Sequence, residues 1–145
     1  MHLGLGLYRD LLTPETFRFA RQAGVTHVVV HLPGHFTRGG GSKIITADDD
    51  AWGFGVSEAG DPIWTLEGLR ELKAQIEAAG LTLAALENFA PADWHDVLLD
   101  GPRRAEQMGT LKRIVADAGR AGIPVIGYNF SVAGVWGRRE GPFAR

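Results

Sequence analysis

Four polar side chains in this sequence stand where they could contact a small ligand. His31 ends an apolar run and lies just before Pro33, and Glu87 follows five mostly apolar residues. Asn129 ends a third apolar run, and Arg138 follows it at a short distance. An imidazole can act as a base or a hydrogen-bond donor, and a carboxylate is costly to bury unless it is paired or metal-bound. An amide can bind a sugar hydroxyl, and a guanidinium can clamp a carboxylate through its planar fork.

Each of these residues also has a purely structural interpretation. His31 could cap loop carbonyls, Glu87 could form a salt bridge with an arginine, and Asn129 could brace a loop. Arg138 could be an exposed cation. Trp136, close to Arg138, is a candidate pocket wall, although tryptophans more often pack in a core or a lid.

Three repeats of one pattern indicate which elements position these residues. Helix-like stretches end at Ala23-Gly24, Ala79-Gly80 and Ala121-Gly122, and each is followed by a bulky, strand-like run. Glycine readily takes the left-handed conformation that closes a helix. Alternating helices and strands predict a parallel sheet, and α/β folds bind ligands at the carboxyl ends of their strands.

The predicted elements follow from apolar spacing and from helix-start residues. We expect strands at about residues 3–7, 27–31, 82–87 and 124–128. Thr13 and Thr65 are predicted to begin the first two helices, and Pro102 the third, with an extra short helix at about 93–98. The third helix is expected to turn one apolar stripe toward the sheet, made of Met108, Leu111, Val115 and Ala118.

Four strands and three helices correspond to the N-terminal half of a TIM (β/α)₈ barrel, which typically needs about 250 residues. We therefore interpret residues 1–145 as a partial TIM-barrel domain with a long, lid-like loop at about 34–63. A half-barrel leaves two open edges and an uncovered inner face. This predicts either a missing C-terminal half or a partner that closes the sheet.

The bulk composition narrows the function classes. The chain has 145 residues, a net charge of −2 and no cysteine, so neither nucleic acid nor an anionic membrane is an expected partner. No run approaches the roughly 20 apolar residues of a membrane span. We expect a cytoplasmic, soluble protein.

Two motifs in the long loop have weak functional interpretations. The Gly-Gly-Gly-Ser-Lys run at 39–43 lacks the order of a phosphate-binding loop, and no amphipathic helix follows it. The three aspartates at 48–50 do not match a calcium-binding loop. A flexible loop and a solvated acidic turn are the favoured interpretations.

Several stretches resemble the mannonate dehydratase family. They are His31-Leu32-Pro33, Trp64-Thr65-Leu66-Glu67, Leu86-Glu87-Asn88, Gly127-Tyr128-Asn129-Phe130 and Val135-Trp136-Gly137-Arg138. The resemblance implies a TIM-barrel lyase of hexuronate breakdown that removes water from D-mannonate to give 2-keto-3-deoxy-D-gluconate. It also implies Mn²⁺ or another divalent metal, a small sugar acid as ligand, and substrate-binding roles for His31, Glu87, Asn129, Trp136 and Arg138.

The resemblance also predicts what this chain lacks. The metal ligands of the family come from the later half of its barrel and include a cysteine, so we expect none in this segment and an inactive chain when it stands alone. No catalytic residue is assigned. Two alternatives remain: a sugar isomerase or epimerase on the same barrel, and a non-catalytic half-barrel that self-associates. A homo-oligomer would fit the open edges.

Overall fold

A computed structural model describes residues 1–33 and 60–129 of the chain. Its four strands are parallel and lie side by side in chain order: β1 (Gly4–Tyr8), β2 (His27–His31), β3 (Thr82–Glu87) and β4 (Ile126–Gly127). The helices are α1 (Pro14–Gln22), α2 (Leu66–Ala78), α3 (His95–Leu99) and α4 (Arg104–Arg120). Short 3₁₀ turns lie at Arg9–Leu11, Pro62–Trp64 and Pro91–Asp93. The predicted parallel (βα) repeat is confirmed.

The helix ends follow the local chemistry of the sequence. The Thr13 hydroxyl accepts a hydrogen bond from the Thr16 N–H at 3.2 Å, and the Thr65 hydroxyl accepts one from the Gly68 N–H at 3.2 Å. These contacts satisfy N–H groups that the first helical turn leaves without a partner. Glycines with positive φ close the three long helices: Gly24 (+81°), Gly80 (+75°) and Gly122 (+73°).

One apolar layer joins the helices to one face of the sheet. Val28 and Val30 of β2 are fully buried, and Leu69 and Ile76 of α2 are buried with them in the same core cluster. Full burial of such a side chain is worth about 1.5–3 kcal/mol. The layer also includes Phe17, Leu72, Leu83, Leu86, Leu111 and Ile114.

The opposite face of the sheet is open at β1. An added Cβ at Gly6 would have no atom within 4 Å, and one at Gly4 would meet only the His27 carbonyl oxygen at 3.8 Å. No described part of the chain therefore packs closely against Gly4 or Gly6 on this face.

The apolar stripe predicted for α4 is wrong in part. Leu111, Ile114 and Ala118 are buried, together with Gln107 and Asp117. Met108 is only half-buried and Val115 is 52% exposed. Both line an open apolar groove of about 670 Å³ along α4 and β4, whose lining also includes Phe89, Lys112, Ile123, Pro124, Ile126 and Tyr128. The buried face is rotated because α4 packs on α3 and on α2.

Two element bounds also differ from prediction. β4 contains only two residues, whereas five were expected. Its ladder includes bonds from the Leu86 N–H to the Val125 carbonyl and from the Asn88 N–H to the Gly127 carbonyl, at 3.0 and 2.7 Å. The short helix expected at 93–98 is present as a 3₁₀ turn followed by α3.

No helix in residues 1–33 or 60–129 combines the length and the apolar character that crossing a bilayer requires. The longest, α4, has 17 residues.

Buried polar groups fix the segment after β3 onto α4. The Gln107 side-chain oxygen accepts a hydrogen bond from the Asp96 N–H at 2.8 Å, and its amide nitrogen donates to the Ala92 carbonyl at 2.9 Å. The Asp96 carboxylate accepts from the Arg103 N–H at 2.7 Å, at the start of α4. Buried hydrogen bonds of this kind are costly to break because each leaves an unsatisfied group.

Asp93 lies beside this network and is 6% exposed. Burial raises the pKa of its carboxyl, and the guanidinium groups of Arg113 and Arg103 oppose that rise only in part. The charged form of Asp93 is therefore disfavoured in the folded protein relative to the unfolded chain.

We expect Gly68→Ala to destabilise the fold. The added methyl group would clash with the Pro62 carbonyl oxygen and lie 2.8 Å from Ile63 Cα, and both are backbone atoms that cannot rotate away. Overpacking of about 1–3 kcal/mol outweighs the roughly 1 kcal/mol by which alanine exceeds glycine in helix propensity. Urea unfolding should show a net loss of up to about 2 kcal/mol.

Gly109→Ala is the matched control, because its added Cβ in α4 meets no described atom within 4 Å. This variant should gain up to about 1 kcal/mol from helix propensity. Equal effects of the two substitutions would contradict the close contact at Gly68.

We expect Asp93→Asn to stabilise the fold at neutral pH. A carboxyl whose pKa is raised on folding binds its proton more tightly in the native state, so stability falls as pH rises through that pKa. The amide removes this loss. Urea unfolding at neutral pH and near pH 3 should show a gain that shrinks at the acidic pH. Asp10→Asn, at an exposed position, serves as the control, and a pH-independent gain at Asp93 would contradict the assignment.

Candidate functional site

A row of four residues crosses the carboxyl ends of the strands. The parallel register pairs Tyr8 of β1 with His31 of β2, His31 with Glu87 of β3, and Glu87 with Gly127 of β4. Neighbouring parallel strands lie about 4.8 Å apart. The phenol, the imidazole and the carboxylate therefore belong to consecutive strands at one level of the sheet.

His31 is the buried member of this row, with 4% of its surface exposed. Its ring packs edge-on against Tyr8, with ring centroids 5.4 Å apart and an interplanar angle of 75°. Its Nδ1 atom lies 3.5 Å from the Asn88 amide nitrogen. Contacts from both neighbouring strands therefore restrict the orientation of the imidazole.

Asn88 joins the ends of three strands. It directly follows β3 with a left-handed backbone, φ +62°, and is buried. Its side-chain oxygen accepts a hydrogen bond from the Asn129 N–H at 3.0 Å, while its own N–H donates to the Gly127 carbonyl at 2.7 Å. Asparagine tolerates this backbone conformation better than most residues. Its side chain contacts both His31 and Asn129, which lies two residues after β4.

Glu87 is exposed, unlike its neighbour in the row. The premise that burial forces its carboxylate to find a metal or an arginine is therefore wrong. Within residues 1–33 and 60–129 its side chain forms neither a hydrogen bond nor an ion pair. Its carboxylate can accept hydrogen bonds from a ligand at this edge.

An ion pair ties two loops together beside the row. Arg9, just after β1, pairs with Asp61 through two contacts, one of them 3.3 Å between Arg9 Nη2 and Asp61 Oδ1. The same Asp61 oxygen accepts from the Ile63 N–H at 3.0 Å and thereby caps the 3₁₀ turn before α2. Asp61 therefore has a structural role, and both of its carboxylate oxygens already have partners.

Aromatic side chains flank the row on the β4 side. The rings of Phe89 and Tyr128 have centroids 5.7 Å apart, and those of Phe89 and Trp64 have centroids 6.2 Å apart. Tyr128 is 64% exposed. Phe89 and Trp64 are buried in the core, so of these three rings Tyr128 is the one exposed to a ligand.

Three of the five residues predicted for the site meet at this edge. His31 and Glu87 are partners in register, and Asn129 reaches the same place through its backbone N–H to Asn88. Trp136 and Arg138 lie outside the described residues, as do most of the expected lid at 34–63 and both motifs within it. Their predicted roles stay predictions.

Sequence reasoning missed Tyr8 and Asn88 as members of the site. Tyr8 ends its strand just as His31 ends the next one, and that equivalence was available as a signal. Asn88 was noted only as part of a matching stretch. Its link to His31 depends on three-dimensional contacts that the sequence does not show.

A divalent metal has no complete ligand set in the described part of the chain. No three His, Asp or Glu side chains converge there as they would around a cation. His31 and Glu87 are neighbours, but two groups fall short of the ligand number that a protein metal site usually supplies. No catalytic step through a metal follows from these residues.

Comparisons with known proteins agree on one family. The family model described as D-mannonate dehydratase (UxuA) matches residues 12–141. A mannonate dehydratase of Streptococcus equi subsp. zooepidemicus is 36% identical over 77 residues, which is 53% of this chain and 21% of that protein. A mannonate dehydratase of Thermotoga petrophila is 31% identical over 78 residues, 54% of this chain and 21% of that protein.

The fold comparison agrees. The crystal structure of mannonate dehydratase from Streptococcus suis serotype 2 matches with a TM-score of 0.56 and 23% identity, over 90% of this chain and 30% of that one. This supports the predicted N-terminal half of a TIM barrel. The chain spans about a fifth of the length of the curated relatives it matches. Since the family model covers most of its residues, this chain belongs to the D-mannonate dehydratase (UxuA) family.

Proposed function

We propose that the protein to which this half-barrel belongs is a hydro-lyase that removes water from D-mannonate to give 2-keto-3-deoxy-D-gluconate. The match of the family model to residues 12–141 carries this proposal. The relatives bear the name mannonate dehydratase. Because the chain corresponds to about a fifth of those relatives, the activity is assigned to the complete protein, and the 145 residues alone are expected to be inactive.

The polar row suits a polyhydroxylated ligand. An exposed carboxylate at Glu87 can accept hydrogen bonds from sugar hydroxyls, and the Tyr8 phenol can donate or accept. The Asn129 side chain, exposed at the same edge, offers an amide to another hydroxyl. We propose these contacts, with His31, as the part of substrate binding that this chain supplies.

Charge sets the orientation of the ligand in this proposal. A sugar acid carries a carboxylate, which Glu87 would repel at this edge, so the hydroxyl-bearing end should face Glu87. The ligand carboxylate then needs a cation elsewhere. Arg138 is the candidate by residue type because its guanidinium can hold a carboxylate through two hydrogen bonds, and Trp136 is the candidate pocket wall beside it.

The metal belongs to the remaining part of the proposal. Mn²⁺ or a similar divalent ion would assist loss of hydroxide by stabilising the developing negative charge. We propose that its ligands come from outside this chain. By the same resemblance we propose a role in hexuronate breakdown. The composition of the chain motivates the proposal of a cytoplasmic location, and the open sheet edges that of a homo-oligomeric assembly.

The test uses the complete gene product with Mn²⁺ and D-mannonate. NMR and mass spectrometry should show a product lighter by one water, identified as the 2-keto-3-deoxy acid. A product of unchanged mass would instead indicate an isomerase or epimerase. Absence of reaction, with the metal bound and the protein folded, would contradict an enzymatic role on this substrate.

We expect Glu87→Gln to reduce kcat/KM for D-mannonate by about 10- to 100-fold. Hydrogen bonds to a charged group are worth about 1.5–3 kcal/mol, which corresponds to that range. Steady-state kinetics on the metal-loaded protein measure the change. Glu77→Gln is the control, because Glu77 lies near the C-terminal end of α2 and pairs with Lys73 at its surface. Equal kinetics for Glu87→Gln and the unmodified protein would remove Glu87 from the site.

A further inference from the structure

Two fixed donors determine what the Asn88 side chain can do. The Asn129 N–H lies 3.0 Å from the Asn88 side-chain oxygen and can only donate. The oxygen must therefore face Asn129, because the flipped amide would place two donors against each other. The amide nitrogen is consequently the atom 3.5 Å from His31 Nδ1.

The same reasoning extends to the imidazole. An amide nitrogen has hydrogens and no lone pair to offer, so it can only donate to His31 Nδ1. Nδ1 must then carry the lone pair, and the proton of the neutral ring lies on Nε2. The contact, at the outer end of hydrogen-bond distances, lies between two buried residues, where water competes little for either group.

We propose that Asn88 is a positioning residue that holds His31 in the tautomer protonated on Nε2. In this tautomer His31 is a hydrogen-bond donor at Nε2 and cannot accept a proton there. Nδ1 is covered by Asn88. Neither ring nitrogen of His31 is then an available proton acceptor, and the general base of the reaction is another group. The tautomer is inferred from the contact between Asn88 and His31; only its role in a reaction of a sugar acid rests on the proposed function.

Asn88 also couples this tautomer to the end of β4. One side chain accepts from the Asn129 backbone and contacts His31. Displacement of residue 129 would free the amide to turn, and the constraint on the imidazole proton would be lost. The tautomer of His31 therefore reports whether the hydrogen bond between Asn129 and Asn88 is formed.

The experiment is ¹⁵N NMR of the intact protein labelled on its histidine rings, at about pH 8, where a histidine of ordinary pKa is neutral. The His31 signals are those missing from His31→Gln. We expect the pattern of an Nε2–H ring, with Nδ1 unprotonated. A ring protonated on Nδ1, or an even mixture of tautomers, would overturn the proposal.

Asn88→Asp provides the matched variant. A carboxylate keeps an acceptor for the Asn129 N–H and turns a second acceptor toward His31, so Nδ1 should become protonated. An unchanged Nε2–H pattern would overturn the proposal. If this variant does not fold, Asn88→Gly, which suits φ +62°, should give a mixture of tautomers, and retention of the single Nε2–H form would overturn it equally.

The control is Asn129→Ala, because Asn129 contributes only its backbone N–H to Asn88. Its His31 tautomer should match that of the unmodified protein. These readouts need no substrate, so a protein inactive on D-mannonate with an Nε2–H ring would refute the proposed function and leave the positioning role intact.

Discussion

The parallel hydrogen bonding of four consecutive strands is the constraint on which the candidate site depends. Parallel neighbours require the chain to return across the sheet after each strand, and here the returns include helices that pack on one face. Every strand consequently ends at the same edge. Tyr8, His31 and Glu87 are far apart in the chain, yet the register brings them to one level. The sheet topology brings these side chains together, and individual contacts then orient them.

Much of this arrangement could be predicted because it depends on local signals. The apolar runs and the closing glycines predicted β2, β3 and the helix ends, and strand position predicted that His31 and Glu87 would meet. The exposure of Glu87 was not predictable, since an apolar run before a carboxylate indicates a strand and says little about the side chain that ends it. Asn88 was missed because its importance comes from partners 57 and 41 residues away.

The error in α4 has a different cause. Spacing alone cannot choose between two adjacent apolar stripes on one helix when both repeat every three or four residues. Leu111 and Ala118 belong to either stripe, whereas Ile114 and Val115 distinguish them. The contact of α4 with α3 selects the stripe that contains Ile114. Gln107 belongs to this buried face, and its hydrogen bonds to Asp96 and Ala92 satisfy its polar side chain there. A buried glutamine is a tertiary feature that a hydrophobic pattern does not reveal.

The ion pair of Arg9 with Asp61 affects how much the region between β2 and α2 can vary. Pro33, two residues after β2, is buried, and Asp61 is held by its ion pair with Arg9 and by its hydrogen bond to the turn that follows. Chain length enters the stability of a closed loop only logarithmically, at about 0.6 kcal/mol for each doubling. With both ends fixed by groups outside the connection, insertions and deletions between them leave the sheet and α2 in place. Relatives can therefore diverge in the length of this connection at a low energetic cost.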